Sequence, residues 1–150
     1  MTHSLKAQMA GIALVLMTSL AGAESNPPTV ELAQDPNFAA AKKAIDAKNW
    51  EKAVYSLKYV KSDDAEVYNL TGYANRKLGK FDEAFRNYKI ALQKDPNHRG
   101  AHEYIGEAYL LTNNPAMAEQ HLAALEKICG QSCEEYKDLA KELAEYKKKQ

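Results

Sequence analysis

Glycine and cysteine are both scarce in this chain, and neither shortage is neutral. Seven glycines in 150 residues are scattered singly, so no glycine-rich loop exists to cradle a phosphate or a dinucleotide. Two cysteines, with no second pair and no histidine pair following them, make a poor zinc site, and no C-x-x-C-H run is present for haem attachment. Charge of either sign is not in excess: 20 basic residues face 20 acidic ones, and nothing draws the whole molecule toward nucleic acid or an anionic membrane. No G-x-S-x-G, no H-E-x-x-H and no nucleophile, base and orienter set can be assembled. These absences argue against an enzyme, and no cofactor or metal is implied.

Long apolar runs are also missing, with one exception at the beginning. Lys6 precedes a stretch from Met9 to Leu20 that is apolar apart from Gly11, Thr18 and Ser19, and Ala21-Gly22-Ala23 follows. A basic residue, an apolar run and small residues, in that order, describe a secretory leader, residues 1–23, with the cut after Ala23. The apolar run is shorter than the roughly 20 residues that span a bilayer. No cysteine follows the cut, which argues against a lipid anchor there. The mature chain, Glu24 to Gln150, is expected in the periplasm or outside the cell, and it carries 19 basic and 20 acidic residues once Lys6 is gone. Pro27, Pro28 and Pro36 mark residues 24–36 as a flexible entry segment.

What the sequence does have is helical periodicity. Trp50, Ala53, Val54, Leu57 and Val60 form one apolar stripe, and Phe81, Ala84, Phe85, Tyr88, Ala91 and Leu92 form another. No stretch reads as a strand. Short breaks at Lys48-Asn49, Gly79-Lys80, Asp95-Pro96-Asn97, Asn113-Asn114-Pro115 and Gly130-Gln131-Ser132 punctuate residues 37–150, which read as seven helices of about 11 to 16 residues joined by tight turns. Asn114 reads as an N-cap ahead of Pro115, and Ser132 with Glu135 as a capping box.

The helices repeat. Asn49 to Ala53 (NWEKA), Lys80 to Ala84 (KFDEA) and Asn114 to Ala118 (NPAMA) align at spacings of 31 and 34 residues, the period of helix-pair arrays. Ala65 to His98 resembles a tetratricopeptide repeat, with Gly72, Leu78-Gly79, Phe81, Ala84, Tyr88, Ala91 and Pro96 at signature positions. Residues 99–130 are similar through Gly106, Tyr109, Ala118, Leu122 and Leu125. Residues 34–64 depart most, with Ala41 in place of the glycine, Ala44 in place of the aromatic, and a shortened final turn. In the second unit Thr71 and Asn75 stand where an apolar residue and an aromatic are usual. The resemblance, which extends to small exported bacterial members of the family, implies an all-α superhelical solenoid of three helix pairs. Residues 133–148, with Tyr136, Leu139, Ala140 and Leu143 on one face, would cap the stack.

Cys129 and Cys133 stand four apart at the joint before the capping helix. Three readings compete: a structural disulfide, a redox pair and a metal site. An exported setting and a flexible Gly130 favour the disulfide. A helix C-terminus at Cys129 and acidic Glu134 and Glu135 beside Cys133 oppose the low thiol pKa that redox chemistry needs. His98 and His102 could share a metal on spacing alone, but they lack a third ligand and read as solvated histidines. His121, on a face with Ala118, Leu122 and Leu125, reads as a packed, hydrogen-bonded ring.

Helix-pair stacks leave a concave groove lined mainly by the first helix of each pair. The resemblance places Phe38, Lys42, Ile45 and Asp46 in it from the first unit, Asn69, Tyr73, Arg76 and Lys77 from the second, and Glu103, Glu107, Leu110 and Leu111 from the third. Tyr73, Arg76 and Lys77 facing Glu103 and Glu107 suggest a bipolar groove for a peptide or a partner helix. Family members that clamp a C-terminal carboxylate use a Lys, Asn, Asn, Lys, Arg set, and the corresponding residues here are Phe38, Lys42, Leu70, Gly100 and Tyr104, which argues against that clamp. The expectation is an exported, non-catalytic adaptor that binds a protein or peptide of the cell envelope. The rival expectation is a periplasmic thiol-disulfide oxidoreductase working through Cys129 and Cys133.

Overall fold

The computed structural model describes residues 31–150. The expected leader, its cut and most of the entry segment lie outside the described residues. What is described of that segment is ordered. A single 3-10 turn, Leu32–Gln34, leads into helix α1, Pro36–Asp46. The Asp35 carboxylate caps α1 by accepting from the N–H groups of Asn37 at 2.7 Å and Phe38 at 3.3 Å, and it also accepts from the N–H of Lys61 at 3.0 Å. These backbone donors, Lys61 first, hold the Asp35 carboxyl below its ordinary value. Pro36 takes the first helical position, where a missing N–H costs nothing, so the helical domain starts one residue before Asn37.

Six further helices follow: α2 (Trp50–Leu57), α3 (Ala65–Lys77), α4 (Phe81–Lys94), α5 (Arg99–Leu111), α6 (Pro115–Cys129) and α7 (Glu134–Lys148), with no strand among the described residues. They pack as consecutive pairs α1–α2, α3–α4 and α5–α6, each pair stacking on the next through α2–α3 and α4–α5. Helix α7 lies across both α5 and α6. The architecture is an α-α superhelix. At 8 residues, α2 is shorter than the expected 11 to 16.

One backbone joint is used three times. Lys48, Gly79 and Asn113, at φ 54°, 73° and 61°, each turn the chain between the two helices of a pair. The next N–H then reaches back over the turn, from Asn49 to Ala44 O at 2.8 Å, Lys80 to Asn75 O at 2.9 Å and Asn114 to Tyr109 O at 2.8 Å. This is the Schellman way of closing a helix, and glycine adopts its left-handed residue without steric cost. Asn49 and Asn114 then cap α2 and α6 through their side chains, while Lys80 has none to offer α4.

Close approach sets the layers. A Cβ at Gly72 would lie 2.7 Å from two ring carbons of Tyr88, and one at Gly106 would lie 2.6 and 2.8 Å from the two Leu139 methyls. Tyr88, Ile105, Leu125 and Leu139 are the largest fully buried side chains. The expected polar misfits at Thr71 and Asn75 are resolved within α3. Thr71 Oγ1 donates to Val67 O at 2.7 Å, and Asn75 Nδ2 to Thr71 O at 2.9 Å.

The expected capping box does not form. Cys133 is the N-cap of α7 and makes no side-chain cap bond; Ser132 lies before it, exposed. Glu135 turns instead to Arg99 Nε at 3.4 Å. Glu134 and Glu135 in the first turn, with Lys147 and Lys148 in the last, still complement the helix dipole.

Candidate binding groove

Helices α3, α5 and α7 line two clefts on the first-helix side of the stack. A cleft of about 560 Å³ is lined from α3 by Glu66, Asn69 and Leu70, from α5 by Arg99, Gly100, Glu103 and Tyr104, and from α7 by Glu134, Glu135 and Asp138. A second, of about 410 Å³, continues past Arg76, Lys77, Glu107, Leu110 and Leu111 to Glu142, Glu145 and Tyr146. The expected groove residues divide between these walls and the core. Phe38 is buried with Ala41, Leu57 and Val67, because α1 uses that face to hold α2 and α3. Leu110 is largely buried against α6 and α7, leaving the neighbouring Leu111 exposed. Lys42 is exposed, with its ammonium 6.0 Å from the Phe38 ring centre.

Arg76 overturns the bipolar expectation. Its side chain is buried, and its guanidinium pairs with Glu107 at 2.5 Å between α3 and α5. It also lies 5.3 Å from the Tyr73 ring centre and 5.6 Å from that of Tyr104, distances at which an aromatic face attracts a cation. Arg76 and Glu107 thus neutralise one another and tie two repeats together. Reversing Arg76 would break the fold as well as any binding, since stranding one partner of a buried pair costs about 3–5 kcal/mol. Lys77 remains exposed beside Tyr73, its ammonium held below the usual lysine range by partial burial and by Arg76.

Glu103 has no such partner. It is 9 % exposed, and among the described residues it makes neither an ion pair nor a side-chain hydrogen bond. Burial first, then Glu107, Asp138 and Glu135, push its carboxyl up to about 8, against the opposing pull of Arg76. Asn69, 3 % exposed, donates to Glu66 at 2.9 Å and leaves its own Oδ1 buried without a donor. The net character of the larger cleft is acidic. The residues missed by the sequence reading are on α7, which was assigned only to capping. Glu134, Asp138 and Glu142, spaced by four, are an acidic stripe that helical periodicity brings to one face.

His98, His102 and His121 are held by partners and are not free surface groups. His98 caps α5, its Nδ1 accepting from the N–H of Ala101 at 3.2 Å, and its Nε2 meets Glu66 at 3.0 Å, which raises its pKa. His102 is buried. Its Nε2–H donates to Pro96 O at 3.0 Å, so its Nδ1 accepts the Nδ1–H of His121 at 2.9 Å. His121 also stacks on Tyr109 at 5.8 Å between ring centres, the packed, hydrogen-bonded ring that its place in the sequence suggests. Burial, then His102, lower the His121 pKa to about 4.

Residues 76–143 match the family profile described as tetratricopeptide repeat. Over those residues the chain carries the tetratricopeptide repeat pattern. Solved structures agree on the fold of the stack. The TPR2B domain of yeast Sti1 in its pHsp70 complex has a TM-score of 0.67 at 21 % identity, with 76 % of this chain and 95 % of that one covered. PcrH in complex with the chaperone binding region of PopB has a TM-score of 0.62 at 18 % identity, with 77 % and 93 % covered. No curated protein sequence matches the chain at a significant level.

Around this tetratricopeptide stack, Cys129 and Cys133 lie side by side at the α6–α7 joint, their Cα atoms 5.9 Å apart, within the span of a disulfide. Gly130, at φ 75°, makes the bend between them. Among the described residues, Cys129, Cys133 and Glu135 are the group of three potential metal ligands whose donor atoms come within 4.8 Å of one another, and Glu135 is already paired with Arg99. No described helix is long and apolar enough to cross a membrane.

Proposed function

We propose that this protein is a non-catalytic adaptor of the cell envelope that holds another protein or peptide in the groove between α3, α5 and α7. The observation that carries the reading is the cleft of about 560 Å³ on the first-helix side of the stack, walled by α7 and floored by the unpaired Glu103. Two solved structures of similar fold are complexes with protein partners, which supports the same use of this groove. The basic, apolar and small residues from Lys6 to Ala23 support export. The intact mass of protein recovered from its host should begin at Glu24, and recovery of full-length chain from membranes would argue for a retained anchor.

The binding reading is tested by photo-cross-linking in the native envelope. A cross-linker at Lys77 or Asp138, on the groove, should capture a discrete partner, whereas one at Lys89, exposed on α4, should not. Capture from Lys89 alone would move the binding surface off the groove. The adjacent sulfurs of Cys129 and Cys133 keep the oxidoreductase reading in play. Unchanged biological activity in the Cys129→Ser, Cys133→Ser protein would set it aside, and loss of activity without loss of stability would put it first.

A further inference from the structure

Glu103 and Asn69 present the same unmet need. Both are more than nine-tenths buried and both line the cleft between α3, α5 and α7; Asn69 Oδ1 is buried without a donor, and the Glu103 carboxyl makes neither an ion pair nor a side-chain hydrogen bond among the described residues. A buried carboxylate lacking a counter-charge is one of the costlier features a fold can keep. The cleft's own cations do not serve it: Arg99 turns to Glu135, His98 to Glu66 and Arg76 to Glu107. Asp138, across from α5, is likewise without a partner among the described residues.

We propose that this cleft is a socket for one cationic side chain of the bound protein, a lysine or arginine, whose N–H donors meet Glu103 and Asn69 Oδ1 while Asp138 faces the charge from α7. The proposal deepens the groove reading and rests on it. A bare divalent ion is disfavoured by spacing, because the ligand-atom triad that forms within 4.8 Å among the described residues is at the cysteine joint and not among the cleft's carboxylates. Spread acceptors at the bottom of a cleft suit a head with several N–H donors on a long apolar stem. Tyr104 supplies an aromatic wall for such a stem. Binding also draws off a proton, since Glu103 is opposed by Glu107 on α5 and by Asp138 and Glu135 on α7, and favoured by Arg76 on α3.

The test uses n-propylguanidinium and n-butylammonium as stand-ins for the two side-chain heads, with butyramide as the neutral control at matched ionic strength. In two-dimensional amide NMR of the mature chain, both cations should shift the Asn69 side-chain amide and the Gly100 and Glu103 backbone signals saturably, and butyramide should not. Glu103→Gln should weaken cation binding at least tenfold while raising the melting temperature at pH 8, because it removes a buried acid. A residue that merely held the cleft together would lower both. Asp138→Asn, on the exposed side of α7, should weaken binding a fewfold without touching stability, and it keeps the test open if Glu103→Gln does not fold. Absence of saturable shifts, equal shifts with butyramide, or tighter binding of Mg²⁺ at the same signals would overturn the socket. If the cations fail while groove cross-linking succeeds, the adaptor reading survives without the socket. If they bind and no partner cross-links from the groove, the adaptor reading is the one that falls.

Discussion

The first and third helix pairs share a joint and little else. In the first, α2 is 8 residues long, the layer shared with α3 sets Ala44, Ala53 and Ala74 beside Phe38, Leu57 and Val67 and holds none of the largest fully buried side chains, and Tyr55 and Tyr59 are 65 % and 48 % exposed. In the third, α6 runs 15 residues, and Leu110, Ala118 and Leu125 form a buried cluster with Leu139 and Leu143 of α7. The well-packed third pair is also the one that keeps Glu103 buried and the His102–His121 pair out of water. The difference teaches where an unfavourable polar group can reside: beside a dense apolar layer that over-determines the backbone, and not beside a thin one.

The largest test of that contrast is Leu139→Ala. Removing a fully buried leucine should cost about 2–5 kcal/mol, read in urea unfolding. Amide exchange should speed up across α5 to α7 and much less in α1 and α2. Gly106→Ala alone should cost about 1–3 kcal/mol, since its new methyl would meet the Leu139 methyls at 2.6 and 2.8 Å. The two together should cost less than their sum, because the alanine at 106 enters the space that Leu139 leaves. Equal loss of protection in α1 and α2 would show that the two pairs unfold as one unit.

Acid should also act on the third pair. His121 titrates at about 4 in the fold and near 6.5 when unfolded. Its contribution is full above the unfolded value and is lost as pH falls toward about 4, because the unfolded chain takes the proton more readily. After discounting for solvent screening, this amounts to about 2 kcal/mol. Glu103 slopes the other way. Raised to about 8, it binds its proton better in the fold than in the unfolded chain, so the stability it supports below pH 4.5 declines as pH rises to 8. The two slopes oppose one another between about pH 4.5 and 6.5 in the wild-type chain. Melting temperatures of Glu103→Gln should therefore fall more steeply on acidification through that range, and His121→Phe should flatten the same limb. Parallel curves for all three proteins would mean that neither group is sequestered.

The joint between α6 and α7 should matter somewhat less. As isolated from an oxidising compartment, Cys129 and Cys133 should be bonded to each other, and mass spectrometry after thiol alkylation decides this. Closing a five-residue loop contributes about 2 kcal/mol on the chain-entropy account, less any strain. The double serine variant should fold and melt lower, with fraying confined to α7. Two free thiols in the native protein would remove the staple.

These differences were unevenly legible in the sequence. The seven helices, their pairing and the close approaches at Gly72 and Gly106 follow from periodicity and from small residues at fixed spacing, which are local signals. The groove was legible only in part, because side chains on a helix face are committed by what packs against it. Phe38 went to the core, Arg76 found Glu107, and His102 found His121 and the Pro96 carbonyl, all across breaks that the sequence does not measure. The α7 wall was visible as the stripe Glu134, Asp138 and Glu142, yet a helix needed for capping conceals a second use of its other face. Asp35 was passed over because its third donor, Lys61, lies 26 residues away.

The smallest effect is the most direct comparison of the pairs. The same left-handed residue is a lysine in the first joint, glycine in the second and asparagine in the third. A non-glycine residue in that conformation costs roughly 1–2 kcal/mol, and asparagine less because its side chain bonds locally. Glycine recovers that strain but raises the entropy of the unfolded chain by roughly 0.5–1 kcal/mol. Lys48→Gly should therefore stabilise by about 0.5–1 kcal/mol, and Asn113→Gly should be nearly neutral. Gly79→Lys should destabilise by a similar amount, since the added Cβ meets no neighbour within 4 Å and the backbone conformation alone is at issue. Urea unfolding of the three variants measures each term. No change at Lys48 with a loss at Gly79 would show that the first joint relaxes where the second cannot, and would locate the weakness of the first pair in its backbone as well as in its thin apolar layer.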